Sequence, residues 1–251
     1  GLNSMVDLKK KFDSALKIFV ERYTQDPKVV GILVSGSYVH SKPDKNSDLD
    51  VSIIIKNSKT RTRGNTWING VEIEYFINPV KQIKYYFKTE VGDISPATAH
   101  MFANSLILYK TGNIMEELVR EAKSSLKKPR PKLKKFQIEN GKYHLDDLEK
   151  DLEDVFLNNN DFSFNYISMQ ILHESLDLFY KIKQVQGEKS KRIYSQLKIL
   201  DPKFSKLYHD ALNEKSKKKK YDCLRKLVRY VETYLGGKRS KEWKLTGKCT
   251  Y

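Results

Sequence analysis

Cysteine, zinc-ligand clusters and long apolar runs are scarce in this 251-residue sequence, and each scarcity removes a class of protein. Cys223 and Cys249 are its two thiols, and no Cys/His cluster has metal-ligand spacing. A disulfide-stapled scaffold and a zinc module therefore drop out, and the thiols read as reduced bystanders. The longest apolar stretches, such as Val51 to Ile55, fall far short of the roughly 20 residues that cross a bilayer. No membrane span is expected, and no short apolar stretch with a small-residue cleavage site opens the chain, so the expected address is cytoplasmic. Acidic side chains are outnumbered: 31 Asp and Glu face 47 Lys and Arg, a net charge of +16. That excess admits a polyanionic partner, a nucleic acid or a triphosphate. The simpler reading is a Lys-coated surface, because the lysines are spread along the chain rather than interleaved with aromatics. The densest run, Lys217 to Lys220, reads as a solvated first turn or loop before a helical pattern.

What is present is enough for two modest domains with real cores. Val6, Leu8, Phe12, Leu16, Phe19 and Tyr23 recur at helical spacing and predict an opening helix over 6–23. Val29 to Val34, Leu49 to Ile55 and Val71 to Ile77 read as strands, the first stopping at the small turn Ser35-Gly36-Ser37 and the last at Pro79. The stretch 57–69 reads as turn-rich. Helices are expected near 80–90, 95–105 and 115–127, with a strand at 106–109. Lys128-Pro-Arg-Pro131 is the linker candidate, because prolines disfavour helix on both sides. Beyond it only helical patterns appear, the last closed by Gly236-Gly237. The expected architecture is an α/β (α+β) domain with a small mixed sheet over 1–130, then an all-α helical bundle over 131–251.

The chemistry is concentrated in one stretch. Gly36-Ser37 is followed, ten residues later, by Asp48-Leu49-Asp50 opening an apolar strand. Carboxylates at i and i+2 of a strand share a face, and such a pair suits divalent cations through hard oxygen ligands. The Gly-Ser turn ends the neighbouring strand, where backbone N–H groups and the Ser37 hydroxyl are suited to phosphate oxygens. A lone Asp-x-Asp is usually a cap or solvated loop. The conjunction of apolar strand, Gly-Ser, polar loop, Asp-x-Asp, second apolar strand and acid-bearing third strand is far more specific.

This segment, residues 29–77, resembles the G-S-x(7–13)-D-x-D signature of the DNA polymerase β-like nucleotidyltransferases. In order of domains and in length the chain is most similar to the kanamycin and streptomycin (aminoglycoside) nucleotidyltransferases of antibiotic resistance. The resemblance implies transfer of a nucleoside monophosphate from a nucleoside triphosphate, with ATP the expected donor, onto a hydroxyl of a small molecule such as an aminoglycoside. It implies two Mg²⁺ ions held by Asp48, Asp50 and a third carboxylate. Two candidates lie on one face of the third strand, Glu72 and Glu74. Glu72 is favoured, because Val71-Glu72-Ile73 is similar to a V-E-V segment of the antibiotic-modifying relatives. Gly36, Ser37, Lys42 and Lys45 are the implied triphosphate ligands.

The acceptor side is less defined. Between Glu139 and Asp154 seven acids face two lysines, Lys142 and Lys150, a patch suited either to a cationic acceptor or to a solvated helix face. Glu139 and Glu174 stand as guesses for acceptor binding, in a cleft between the two halves. His173 with Asp177, at i and i+4, reads as a polar contact on a bundle helix. Lys189, Lys191 and Arg192 read as loop charges, with triphosphate contact the alternative. An RNA or protein acceptor is a second expectation, weakened by the absence of an aromatic-rich RNA-binding motif. A non-catalytic, antitoxin-like member is a third, and retention of the acids speaks against it.

Overall fold

The computed structural model describes residues 2–40 and 46–250. It divides into two compact units, Gly1–Lys128 and Pro129–Tyr251. The first unit begins with helix α1 (Leu2–Thr24), then β1 (Val29–Ser35), the short α2 (Ser37–His40), β2 (Leu49–Ile55), β3 (Thr62–Ile68) and β4 (Val71–Pro79). Helices α3 (Val80–Thr89) and α4 (Ala97–Ala103), strand β5 (Leu106–Lys110) and helix α5 (Ile114–Lys127) complete it. The five strands form one mixed sheet in the order β3-β4-β2-β1-β5, with β2 and β4 parallel and the other pairs antiparallel.

Period-two alternation gives the sheet two different faces. Leu49, Val51 and Ile53 of β2 and Val71 and Ile73 of β4 pack with Ile32 and Val34 of β1 against α1, whose Phe12, Ala15, Leu16 and Phe19 form the matching helical stripe. Each fully buried Phe, Leu or Ile there contributes roughly 1.5–3 kcal/mol over an exposed position. On the opposite face Val30, Leu33 and Ile54 are covered by Ile83 and Phe87 of α3, Ala99 and Phe102 of α4, and Met115, Leu118 and Ala122 of α5. That second face also carries Asp50 and Ser52 of β2 and Glu72, Glu74, Phe76 and Asn78 of β4, by alternation.

One element departs from the sequence expectation. The stretch 57–69, read as turn-rich, contains β3, paired in register with β4 from Thr62↔Ile77 to Ile68↔Val71. It lies at the edge of the sheet and most of its side chains are solvent-facing, so its hydrophobic signal is faint.

The second unit has helices and no strand among its described residues: α6 (Lys135–Leu157), α7 (Asp161–Lys183), α8 (Ile193–Leu200), α9 (Pro202–Asn213) and α10 (Lys217–Tyr234), with a 3-10 turn at Ser190–Arg192. Leu145 and Leu152 of α6, Ile171 and Phe179 of α7, and Leu224, Leu227, Val228 and Val231 of α10 are buried. Phe179 stacks on Phe204 of α9 with ring centroids 3.9 Å apart. The lysine run opens α10: the Ser216 hydroxyl caps its first turn and Lys217 pairs with Asp161 at 2.6 Å. Gly236 and Gly237, both at positive φ, end it. No helix among the described residues is long and apolar enough to cross a membrane.

Candidate active site

β1 ends at Ser35, the chain reverses at Gly36, and Ser37 opens α2. β1 runs antiparallel to β2, so Ser35 faces Asp50, and β4 runs parallel to β2, so Asp50 faces Glu74. Asp48 immediately precedes β2. These pairings bring one carboxylate oxygen from each of Asp48, Asp50 and Glu74 within 4.8 Å of one another, all three residues half-buried. Gly36 has φ +84, and a Cβ built there would lie 2.4 Å from Asp50 Oδ2. Glycine is therefore required twice over: for the left-handed turn and for the space the Asp50 carboxylate occupies.

The third carboxylate of this group is Glu74, not Glu72. Alternation places both on the same face, but only Glu74 stands directly beside Asp50 in the β2–β4 register. Glu72 is turned to the edge strand, where its Oε1 accepts a hydrogen bond from Asn65 Nδ2 at 2.7 Å. Glu74 is held by Arg63 of β3, whose Nε and Nη2 both donate to Oε1, at 2.9 and 2.5 Å. Charge-assisted contacts of this kind fix a carboxylate's orientation, and both fall on the one oxygen. The sequence reading missed Arg63 because it missed β3. The signal that finds it is Asn69-Gly70 between two candidate strands, the pair that suits a two-residue hairpin turn. Both residues adopt positive φ, 51 and 76.

Three half-buried carboxylates so close repel one another, and among the described residues Arg63 pairs with Glu74. The donor set, all hard oxygens, fits a divalent cation of the Mg²⁺ type and not a soft metal.

The remaining sequence candidates lie elsewhere or are engaged. Lys42 and Lys45 fall outside the described residues. Glu139 pairs with Lys142 at 3.6 Å. Asp146 is bound by Lys150 and Arg239, each at 2.8 Å, and Glu149 faces Arg225, Arg229 and Lys238. Burial alone would raise the Asp146 pKa, but hydrogen bonds from Lys150 and Arg239 outweigh it and hold the carboxyl below its ordinary range. Three of the seven acids of the stretch are thus paired from within their own unit. Asp177 bonds Lys181 at 2.5 Å, one turn on from its expected partner His173, and Arg192 pairs with Glu188 at 3.5 Å. Glu174 and His173 line a groove of about 430 Å³ between α6 and α7, with Tyr143, Asp147 and Tyr166.

A mixed sheet that sets an Asp-x-Asp strand between a Gly-Ser turn and a third acidic strand defines a nucleotidyl-transfer fold. The chain belongs to the nucleotidyltransferase domain family, whose profile matches residues 13–188. Membership supports a transferase with a nucleoside triphosphate as substrate, on a fold that generally works with a divalent metal. The chain is also similar to a crystal structure of a nucleotidyltransferase-like protein from Exiguobacterium sibiricum 255-15. The identity is 13%, the TM-score 0.51, and the match covers 90% of this chain and 77% of that one, a likeness of fold. No curated protein matches the sequence.

Proposed function

We propose that the protein transfers a nucleoside monophosphate from a nucleoside triphosphate to the hydroxyl of a small molecule. The observation that carries this reading is the approach of Asp48, Asp50 and Glu74 within 4.8 Å beside the Gly36 turn. In the reaction a bond forms between the acceptor oxygen and the α-phosphorus. The bridging bond from that phosphorus breaks, and pyrophosphate leaves with the electron pair. The acceptor's proton passes to a carboxylate of the group and from there to solvent.

Divalent metal held by Asp48, Asp50 and Glu74, two Mg²⁺ ions in the expected form, supplies charge neutralisation to the triphosphate and to the entering and leaving oxygens. The chain's own groups do the positioning. The backbone after Gly36 and the Ser37 hydroxyl steady the β- and γ-phosphates, with Lys42 or Lys45 as cationic partners. Arg63 keeps the Glu74 carboxylate facing Asp50, so little reorganisation is needed when charge develops.

Incubation with each labelled nucleoside triphosphate, Mg²⁺ and a panel of acceptors tests the proposal, with ATP the donor expected to serve. The panel includes an aminoglycoside, the acceptor the sequence resemblance suggests, and RNA. Stoichiometric pyrophosphate and labelled product support it. A folded protein that forms neither, under every combination, overturns it.

A further inference from the structure

Next to the carboxylate group, on the same sheet face, lies a cavity of about 580 Å³ whose floor is Ser52 of β2 and Phe76 and Asn78 of β4. Arg61 and Arg63 line it from the edge strand side and Tyr86 from α3. Three features of its lining suit a ligand. Asn78 is only 7% exposed and lines the cavity, a polar side chain on its floor. The walls pair flat rings with guanidinium groups: Arg61 lies over Tyr86, 5.6 Å from its centroid, and Arg63 over Phe76 at 5.4 Å. Two arginines stand against two acids, so the charges balance in number and their placement decides what a ligand meets. Arg63 is matched by Glu74, and the other acid of the lining, Glu90, accepts from the Thr98 N–H and hydroxyl, each at 2.8 Å. Arg61 bonds only the Tyr86 hydroxyl among the described residues and keeps its charge unmatched.

The cavity's place in the sheet says which reactant enters it. Gly36 and Ser37 lie on the β1 side of the carboxylates. Ser52 and Phe76 lie two residues further along β2 and β4, roughly 6.6 Å at strand rise, and the arginines lie beyond, toward the β3 edge. With the β- and γ-phosphates at the Gly-Ser turn, in-line displacement requires the attacking hydroxyl on the far side of the α-phosphorus. That is the cavity side.

Resting on the proposed nucleotidyl transfer, we infer that this cavity is the acceptor site, and that the acceptor is a hydroxylated, ring-bearing small molecule with a negative group, carboxylate or phosphate, rather than a polycation. Arg61 takes the negative group, Phe76 and Tyr86 the ring, and Asn78 a polar edge. The acceptor hydroxyl then points back past Arg63 toward Asp50 and Glu74.

Calorimetry on the full chain tests the cavity without turnover, using 4-hydroxycinnamate, pyridoxine 5′-phosphate and kanamycin as probes. Binding of either anion, weakened at least tenfold by Arg61→Ala and by the near-isosteric Asn78→Asp, is the expected result. The stronger of the two anions identifies carboxylate or phosphate as the group recognised. Kanamycin binding more tightly than both anions, neither anion binding, or Arg61→Ala leaving anion affinity unchanged overturns the inference. Arg61 is exposed, so its variant stands even where Asn78→Asp does not fold. In the transfer assay, the same substitution is expected to raise the acceptor KM at least tenfold and to leave the triphosphate KM within twofold. A rise in the triphosphate KM instead assigns the cavity to the donor and also overturns it. Anion binding sensitive to Arg61 in a protein that transfers no nucleotide would sink the proposed function and leave the cavity standing as a binding site.

Discussion

At the scale of single residues the site turns on contacts that leave little freedom. Asp50 lies between the end of β1 and Glu74. Asp50→Asn keeps shape and packing but removes a charge from the group, so the variant is expected to fold normally by circular dichroism. Its turnover should fall by on the order of 10²-fold or more, as for loss of other groups that stabilise developing charge. Gly36→Ala presses from the other side: its Cβ would lie 2.4 Å from Asp50 Oδ2, and the left-handed backbone costs a non-glycine residue roughly 1–2 kcal/mol. A loss of unfolding free energy of that size, read from a lowered denaturation midpoint, with turnover lost beyond it, is expected. A Gly36→Ala protein of unchanged turnover would mean that the Asp50 carboxylate does not need its place. Gly36, Asp48 and Asp50 were legible in the sequence because a turn, a loop and a strand start signal themselves locally. The choice between Glu72 and Glu74 was not. Alternation puts both on one face, and what separates them is the pairing of β4 with β2 and β3, a contact between distant segments that no local pattern encodes.

At the scale of elements, the strands that lie inside the sheet were readable and the one at its edge was not. β1 and β2 are almost wholly buried, and their continuous apolar runs say so. β3 exposes most of its length, so Arg61, Arg63 and Asn65 looked like loop residues, although Asn69-Gly70 marks the turn that joins β3 to β4. Among the helices, α9 depends on a buried acid. Asp201 caps it by accepting from the Phe204 N–H at 3.0 Å, and it also accepts from the Tyr234 and Tyr230 hydroxyls at 2.6 and 2.9 Å. Burial alone would raise its pKa, but the Tyr234 hydroxyl, the Phe204 amide, the Tyr230 hydroxyl and the Lys183 charge outweigh that and lower it. A lowered pKa in the folded state means stability that is present above the ordinary carboxylate range and lost as the pH falls through the lowered value. Asp201→Ala is expected to cost about 1–2 kcal/mol at neutral pH, the worth of a helix cap, and more where the tyrosine hydroxyls are left without their acceptor. The difference between variant and wild type should shrink on acidification. A difference that stays constant from neutral pH to pH 3 would contradict this role of the ionised carboxyl.

At the scale of the whole molecule, each unit has its own apolar core, and the charge is arranged differently in the two. In the helical unit, Asp146 and Glu149 are neutralised by cations of the same unit, and only part of the acidic stretch remains for a partner. In the sheet unit, three acids are gathered, with Arg63 paired to Glu74 among the described residues, a hard-oxygen set that suits a divalent cation. Added Mg²⁺ or Mn²⁺ is therefore expected to raise the thermal midpoint, by an amount corresponding to about 2.7 kcal/mol at a metal concentration one hundred times the dissociation constant. Asp50→Asn and Glu74→Gln should abolish the shift, and a shift equal to wild type in both would place the cation elsewhere. The most direct test of the central claim compares wild type, Glu74→Gln and Glu72→Gln for Mg²⁺-dependent release of pyrophosphate coupled to labelled product. Glu74→Gln is expected to lose on the order of 10²-fold or more in turnover, with Glu72→Gln staying within a few-fold of wild type. The reverse order, Glu72→Gln inactive and Glu74→Gln active, would contradict the assignment of Asp48, Asp50 and Glu74 as the group that performs the transfer.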